Sequence, residues 1–209
     1  CYNTYMTPSF KSLTVFLVIL SFNIKLLGES NPHKYIDSQA QKMVSVIINN
    51  QELFKEDPEL FKDKISTIFE PMVDFRRVGA SVMGKKYYLA SSKSQRIEFI
   101  ETFKNSLLDT YTSTLAQWGD QKIVTIFPEV SEFKKTEDIK QNLIASNNIY
   151  PITYKVRKNN NGDWLIINII VNGVNLGLTF RNQFQALAKE HNENIDEIIK
   201  HWTSDADLN

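Results

Sequence analysis

From residue 34 onward the apolar positions fall at helical spacing, and beyond residue 119 they switch to the alternation of strands. Tyr35, Ile36, Met43, Val44, Ile47 and Ile48 form a first stripe, broken at Glu56-Asp57-Pro58, where Pro58 can open a second helix in its first turn because its missing N–H is not needed there. Leu60, Phe61, Ile65 and Ile68 continue that helix, and Pro71 predicts a boundary before Met72, Val73 and Phe75. A longer helix follows. Ser92 supplies a cap, Gln95 stands three residues later as its reciprocal partner, and Ile100, Phe103, Leu107, Tyr111, Leu115 and Trp118 recur every three or four residues up to Gly119.

The strand-like part begins at Lys122 to Phe127, followed by a short apolar segment over Asn142 to Ala145 and by Ile152, Tyr154 and Val156 alternating with Thr153, Lys155 and Arg157. Asn159 to Asp163 is rich in residues that tolerate positive φ and reads as a hairpin turn into Trp164. On the strand from Trp164, strict alternation assigns Leu165, Ile167, Ile169 and Val171 to the core face, and Trp164, Ile166, Asn168, Ile170 and Asn172 to the other. After Gly173 the helical period returns with Leu176, Phe180, Phe184, Leu187 and Ala188, and Asn194 with Glu197 opens a last short helix. The predicted class is α+β: N-terminal helices, a twisted antiparallel sheet and C-terminal helices around one core.

The first thirty residues differ in kind. Lys11 precedes an apolar run from Leu13 to Phe22, and Lys25 and Gly28-Glu29-Ser30 follow. This is the form of a secretory signal with cleavage after Ser30, whereas a spanning helix needs about 20 apolar residues and Lys25 arrives too early. An uncleaved membrane anchor is the alternative. Residues 1 to 5 precede Met6, the first candidate initiator, so the expected division is a leader with a few upstream residues over 1–30 and a single domain over 31–209.

Charge and chemistry narrow the functional classes. Twenty-four basic side chains balance twenty-four acidic ones, which argues against nucleic acid as a partner. The lone cysteine, Cys1, leaves no disulfide framework and no thiolate metal cage. His33, His191 and His201 form no His-x-x-x-His or His-Glu-x-x-His pattern, so neither a metal nor a catalytic residue is expected. No Gly-x-Ser-x-Gly elbow, phosphate loop or dinucleotide fingerprint occurs, and the carboxylates read as solvated surface. Lys85-Lys86-Tyr87-Tyr88 fits either a contact to a phosphate head group or a helix end with snorkelling side chains. The aromatic residues Phe75, Tyr88, Phe99, Phe103, Tyr111, Tyr154, Phe180 and Phe184 suit a cavity wall or a solid core equally. Much apolar surface with no cluster able to do chemistry suggests a container.

Two segments carry a resemblance. Phe69 to Gly84, continued by Gln95-Arg96, Phe99 and Phe103 to Tyr111, together with the strand from Trp164 through Gly173-Val174 to Arg181-x-x-Phe184, is similar to the MlaC family of periplasmic phospholipid-binding, or toluene-tolerance (Ttg2-type), proteins. The similarity runs over residues 34 to 202. Asn168 stands where the family usually has an acidic residue, Asn172 where Glu is common, and Asn175 where Ser is frequent. The resemblance implies a carrier with no cofactor other than a phospholipid cargo. It also implies two partners: an inner-membrane ABC lipid transporter with an MCE-domain subunit, and an outer-membrane lipoprotein complex. Helix and strand periodicity then selects Phe75, Val78, Met83, Leu107, Tyr111, Tyr154, Ile167, Ile169, Val174 and Phe180 as pocket walls. A secreted adaptor that binds protein without lipid is the alternative, as is, more remotely, a hydrolase with polar groups converging in the cavity.

Overall fold

A computed structural model describes residues 30–204 apart from 131 and 147, so the expected leader lies outside the described residues except for Ser30. Each of the first helices begins where a short polar side chain can take up free backbone N–H groups. Asn31 accepts from His33 and Lys34 to start α1 (Pro32–Asn49), and after α2 (Gln51–Glu56) Asp57 accepts from Leu60 to start α3 (Pro58–Met72). In both α1 and α3 a proline occupies the first position, where its lack of an N–H costs nothing. Asp74 caps α4 (Phe75–Ala90), and the Ser92/Gln95 capping box opens α5 (Lys93–Ala116). Pro71 does not stop its helix, which runs one residue further to Met72, and α5 ends three residues short of Gly119.

The sheet is an antiparallel meander in the order β1 (Lys122–Ile126), β2 (Thr136–Ala145), β3 (Asn148–Lys158), β4 (Trp164–Val171) and β5 (Val174–Asn175). It leads into α6 (Leu176–Glu190) and α7 (Ile195–Lys200), which completes the expected α+β order. Strand β2 is ten residues long, against the four its apolar segment predicts. Its first half is polar, and its buried positions are Ile139 and Gln141. The Gln141 amide donates to Thr125 Oγ1 at 2.8 Å, and the Thr125 hydroxyl donates to Asp37 at 2.7 Å, so a hydrogen-bonded chain rather than apolar burial ties β2 and β1 to α1.

Strand β4 departs from strict alternation. Lys155 pairs with Asn168 but Val156 pairs with Ile166, which leaves Ile167 as the extra residue of a β-bulge. The bulge exchanges the faces. Before it, Trp164 and Ile166 are buried at 2% and 3% exposure; after it, Ile169 and Val171 point to that same side. The assignment of Leu165, Ile167, Ile169 and Val171 to one face is therefore corrected: only its second half holds. Val73, between α3 and α4, forms a parallel bridge with Ile166, and the Asp74 N–H donates to the Ile166 carbonyl at 3.0 Å, which fixes the helical layer to this strand.

The interior is divided into three clusters rather than one core. Phe99, Phe103, Phe180, Phe184 and Trp202 pack α4 to α7 together, with ring centroids 5.1–6.5 Å apart in mostly edge-on contacts. Ile36, Met72, Ile139, Val156, Trp164 and Ile166 pack α1 and α3 under the sheet, and Ile47, Phe61, Ile65 and Leu108 join α1, α3 and α5. Where the three meet, the packing is not closed.

Candidate ligand cavity

The opening between the clusters is a half-enclosed cavity of about 310 Å³, at the small end of the ~300–1,000 Å³ usual for ligand sites. Helix α5 provides one wall because Phe103, Leu107, Leu108, Tyr111, Thr112 and Leu115 recur at three- and four-residue spacing on a single face. Opposite it stand Ile152 and Tyr154 of β3 and Ile166, Ile169 and Val171 of β4. Ile65 and Phe69 of α3 and Leu176 and Phe180 of α6 close two further sides. Among the described residues, no charged side chain lines this space. The polar groups in its wall are the hydroxyls of Tyr111, Thr112 and Tyr154 and the amide of Asn168.

The ring of Tyr154 is partly uncovered because it faces the opening, yet its phenol lies away from bulk solvent, and burial pushes its pKa up to about 12. It stays neutral at any physiological pH. The wall thus offers an apolar guest no ion to desolvate.

Asn168 and Asn175 form the hinge post between sheet and α6. The Asn168 amide donates to Asn175 Oδ1 at 3.0 Å, its own Oδ1 accepts from the Gly177 N–H at 3.0 Å, and Asn175 Oδ1 also accepts from the Leu178 N–H at 3.1 Å. Gly177 lets the backbone come this close, since a Cβ there would stand 2.5 Å from Asn168 Oδ1 and push that side chain off its hydrogen bond. The turn before β5 uses the third unusual asparagine. Asn172 and Gly173 have φ of 48° and 85°, a left-handed pair of the kind favoured in two-residue hairpin turns and one that asparagine adopts more readily than glutamate.

Of the ten residues chosen from sequence as walls, Val78, Leu107, Tyr111, Tyr154, Ile169 and Phe180 line the cavity. The other four do not. Phe75 lies behind the wall, edge-on to Phe69 and Phe103 at centroid distances of 5.6 and 6.5 Å. Met83 is buried in the solid cluster with Phe99 and Phe184. Ile167 is turned by the bulge into a shallower outer groove, and Val174 is half-buried in β5, opposite Val171 and outside the lining. Lining residues absent from the choice include Ile65, Phe69, Leu108 and Ile152. The apolar stripe through Ile65 carried a signal, but nothing local distinguishes a stripe facing a cavity from one facing filled core.

The basic-aromatic run near the end of α4 is satisfied within the protein. Lys86 pairs with Glu193 and lies over the Tyr87 ring, and Arg96 sits 4.2 Å from the centroid of Tyr88. The fold also brings His191, Glu197 and His201 together, with ligand atoms within 4.8 Å of one another, a juxtaposition the sequence spacing did not predict. The two imidazoles stack at 4.4 Å with only 17° between their planes. A ring nitrogen's lone pair lies in its ring plane, so rings stacked this way cannot both point at one ion.

A sheet and a helical layer separated by an uncharged apolar cavity define the molecule as an α+β container. Residues 37–204 match the family model described as MlaC protein, and the chain belongs to that family. Membership places it among binding proteins rather than enzymes. It is 27% identical over 190 residues to the toluene tolerance protein ttg2D of Pseudomonas putida, covering 90% of this chain and 87% of that protein. It is 30% identical over 196 residues to the intermembrane phospholipid transport system binding protein MlaC of Haemophilus influenzae, covering 90% and 86%. Its fold matches a solved structure of the phospholipid-binding protein from Ralstonia solanacearum in complex with a phospholipid, with a TM-score of 0.73 at 18% identity over 80% of this chain and 92% of that one. No helix among the described residues is long and apolar enough to cross a membrane.

Proposed function

We propose that residues 31–209 are a mature periplasmic carrier, released from an N-terminal leader. It holds the acyl chains of a glycerophospholipid in the cavity between α5 and the sheet, and it carries no other cofactor. The observation that supports this reading is a wall with no charged side chain, in a family whose curated relatives include a phospholipid transport binding protein. Crossing water exposes an acyl chain at about 0.8 kcal/mol per CH₂, so the chains must stay covered throughout transit, whereas the head group can remain hydrated. The carrier would shuttle lipid between the outer and inner membranes. It would exchange with an outer-membrane lipoprotein complex and with an inner-membrane ABC transporter bearing an MCE-domain subunit, and so maintain outer-membrane lipid asymmetry.

A protein-binding adaptor would be expected to fill this space with side chains. Transfer of a labelled phospholipid between two vesicle populations separates the two readings. The carrier accelerates transfer in proportion to its concentration; transfer at the spontaneous rate with folded protein present contradicts the proposal.

A further inference from the structure

Beside the cavity, on the side of α4 and α6, lies a second space of about 330 Å³ whose lining differs in kind. Three cations from three elements face it: Arg77 of α4, Lys155 of β3 and Arg181 of α6. Ser81, Asn168 and Asn175 add neutral hydrogen-bonding groups, and no carboxylate belongs to the lining. Arg77 is engaged by Asp74 at 3.4 Å and Lys155 by Asp138 at 2.7 Å, whereas no ion pair is formed by Arg181 among the described residues. Arg181 also lines the adjoining depression with Gly84, Lys85 and Lys86, and its guanidinium rests over Gly84 between the two, where φ is +71° and a Cβ would stand 3.0 Å from Arg181 Nη2. With Asp74 and Asp138 set against Arg77 and Lys155, the groove keeps an excess of one positive charge, that of Arg181.

The position of the groove identifies its ligand. Val78, Asn168 and Gly177 line both spaces, so the groove opens where a lipid in the cavity would bring out its glycerol. The N-terminus of α6 faces the same place, but its Gly177 and Leu178 N–H groups are bonded to Asn168 and Asn175. It therefore contributes the positive end of its dipole and not free donors. We infer that Arg77, Lys155 and Arg181 form a subsite for the phosphate of the bound phospholipid, and that this subsite favours head groups of net negative charge over those that add an ammonium. The inference rests on the carrier reading above. Its chemistry is charge-assisted hydrogen bonding of phosphate oxygens by guanidinium and ammonium, and an ammonium on the head group would be carried toward the uncompensated charge of Arg181.

The test loads the protein from vesicles containing equal amounts of phosphatidylglycerol and phosphatidylethanolamine with identical chains, followed by extraction and quantification of the bound lipid. Wild-type protein is expected to retain phosphatidylglycerol in about fivefold excess, the order given by one partly exposed charge contact. Arg181→Gln should return the ratio of the two head groups to that of the vesicles. Arg76→Gln, which removes an equal charge from outside the groove, should keep the excess. No excess in the wild type, or an excess that survives in Lys155→Gln/Arg181→Gln, overturns the subsite. An absence of any bound lipid in the wild type instead overturns the carrier reading. Lipid-free protein titrated with inorganic phosphate should show no saturable binding that depends on Arg181; such binding without a head-group preference would make the groove a free-phosphate site and overturn the inference. Slower uptake by Arg181→Gln with an unchanged ratio would assign the charge to membrane encounter and also overturn it.

Discussion

Tyr154 is the wall residue whose ionisation can be read in solution. Its pKa of about 12 lies above the 10.0 of an unfolded tyrosine, so the unfolded chain loses this proton first. The neutral phenol's contribution is fully present below pH 10 and is lost as pH rises toward 12. Tyr35, raised by burial and then by the Asp163 charge, acts with the same sign. Tyr154→Phe should therefore make the alkaline fall in unfolding free energy shallower without abolishing it, as measured by urea melts at intervals from pH 8 to about 12. An identical slope would show that the phenol is solvated. The neighbouring strand provides a paired test of the cavity itself. Ile169→Trp fills the lining and should reduce bound lipid severalfold with the fold intact, whereas Ile167→Trp projects into the outer groove and should leave acyl occupancy near wild type. The opposite ranking would place the lipid on the other face of β4.

At the scale of elements, the contact between β4 and α6 turns on Gly177 and Asn168. Gly177→Ala drives a methyl to 2.5 Å from Asn168 Oδ1 and should cost about 1–3 kcal/mol. Asn168→Ala removes the acceptor of the Gly177 N–H and should cost about 1–2 kcal/mol alone. Because the two share one contact, the double variant should be destabilised by less than the sum, a coupling that denaturant melts resolve. Strict additivity would refute the geometry. These elements also show what a sequence can reveal. Ser92 and Asn194 announce their helices because a cap is a local hydrogen bond between residues two or three apart. The part of β2 before Asn142 is illegible because Gln141 is buried through Thr125 and Asp37, partners far away in sequence. The bulge at Ile167 was illegible for a related reason. It exists only in the pairing of β3 with β4, while the residues themselves, Leu165-Ile-Ile167, look uniformly apolar. That one inserted residue places Ile169 in the cavity lining and Ile167 in the outer groove. The face of α5 that lines the cavity is legible, since a helix carries its periodicity without a partner. On α4, Val78 lines the cavity, Phe75 packs one layer behind the wall, and Met83 lies beside the Gly84 kink, inside the aromatic cluster.

The whole molecule is three apolar clusters arranged around a space that none of them fills. Each cluster is closed by its own contacts: rings around Trp202, aliphatics under the sheet, and Phe61 with Ile47, Ile65 and Leu108. Apolar abundance and chemical silence pointed from the sequence to a container, but the division of the core is a tertiary property that no segment records. If the cavity holds phospholipid chains, native mass spectrometry of purified residues 31–209 should show a mass increment of one or more phospholipids per chain, identified after extraction and diminished in Ile169→Trp. A folded protein that carries no lipid as isolated and takes up none from phospholipid vesicles would contradict it.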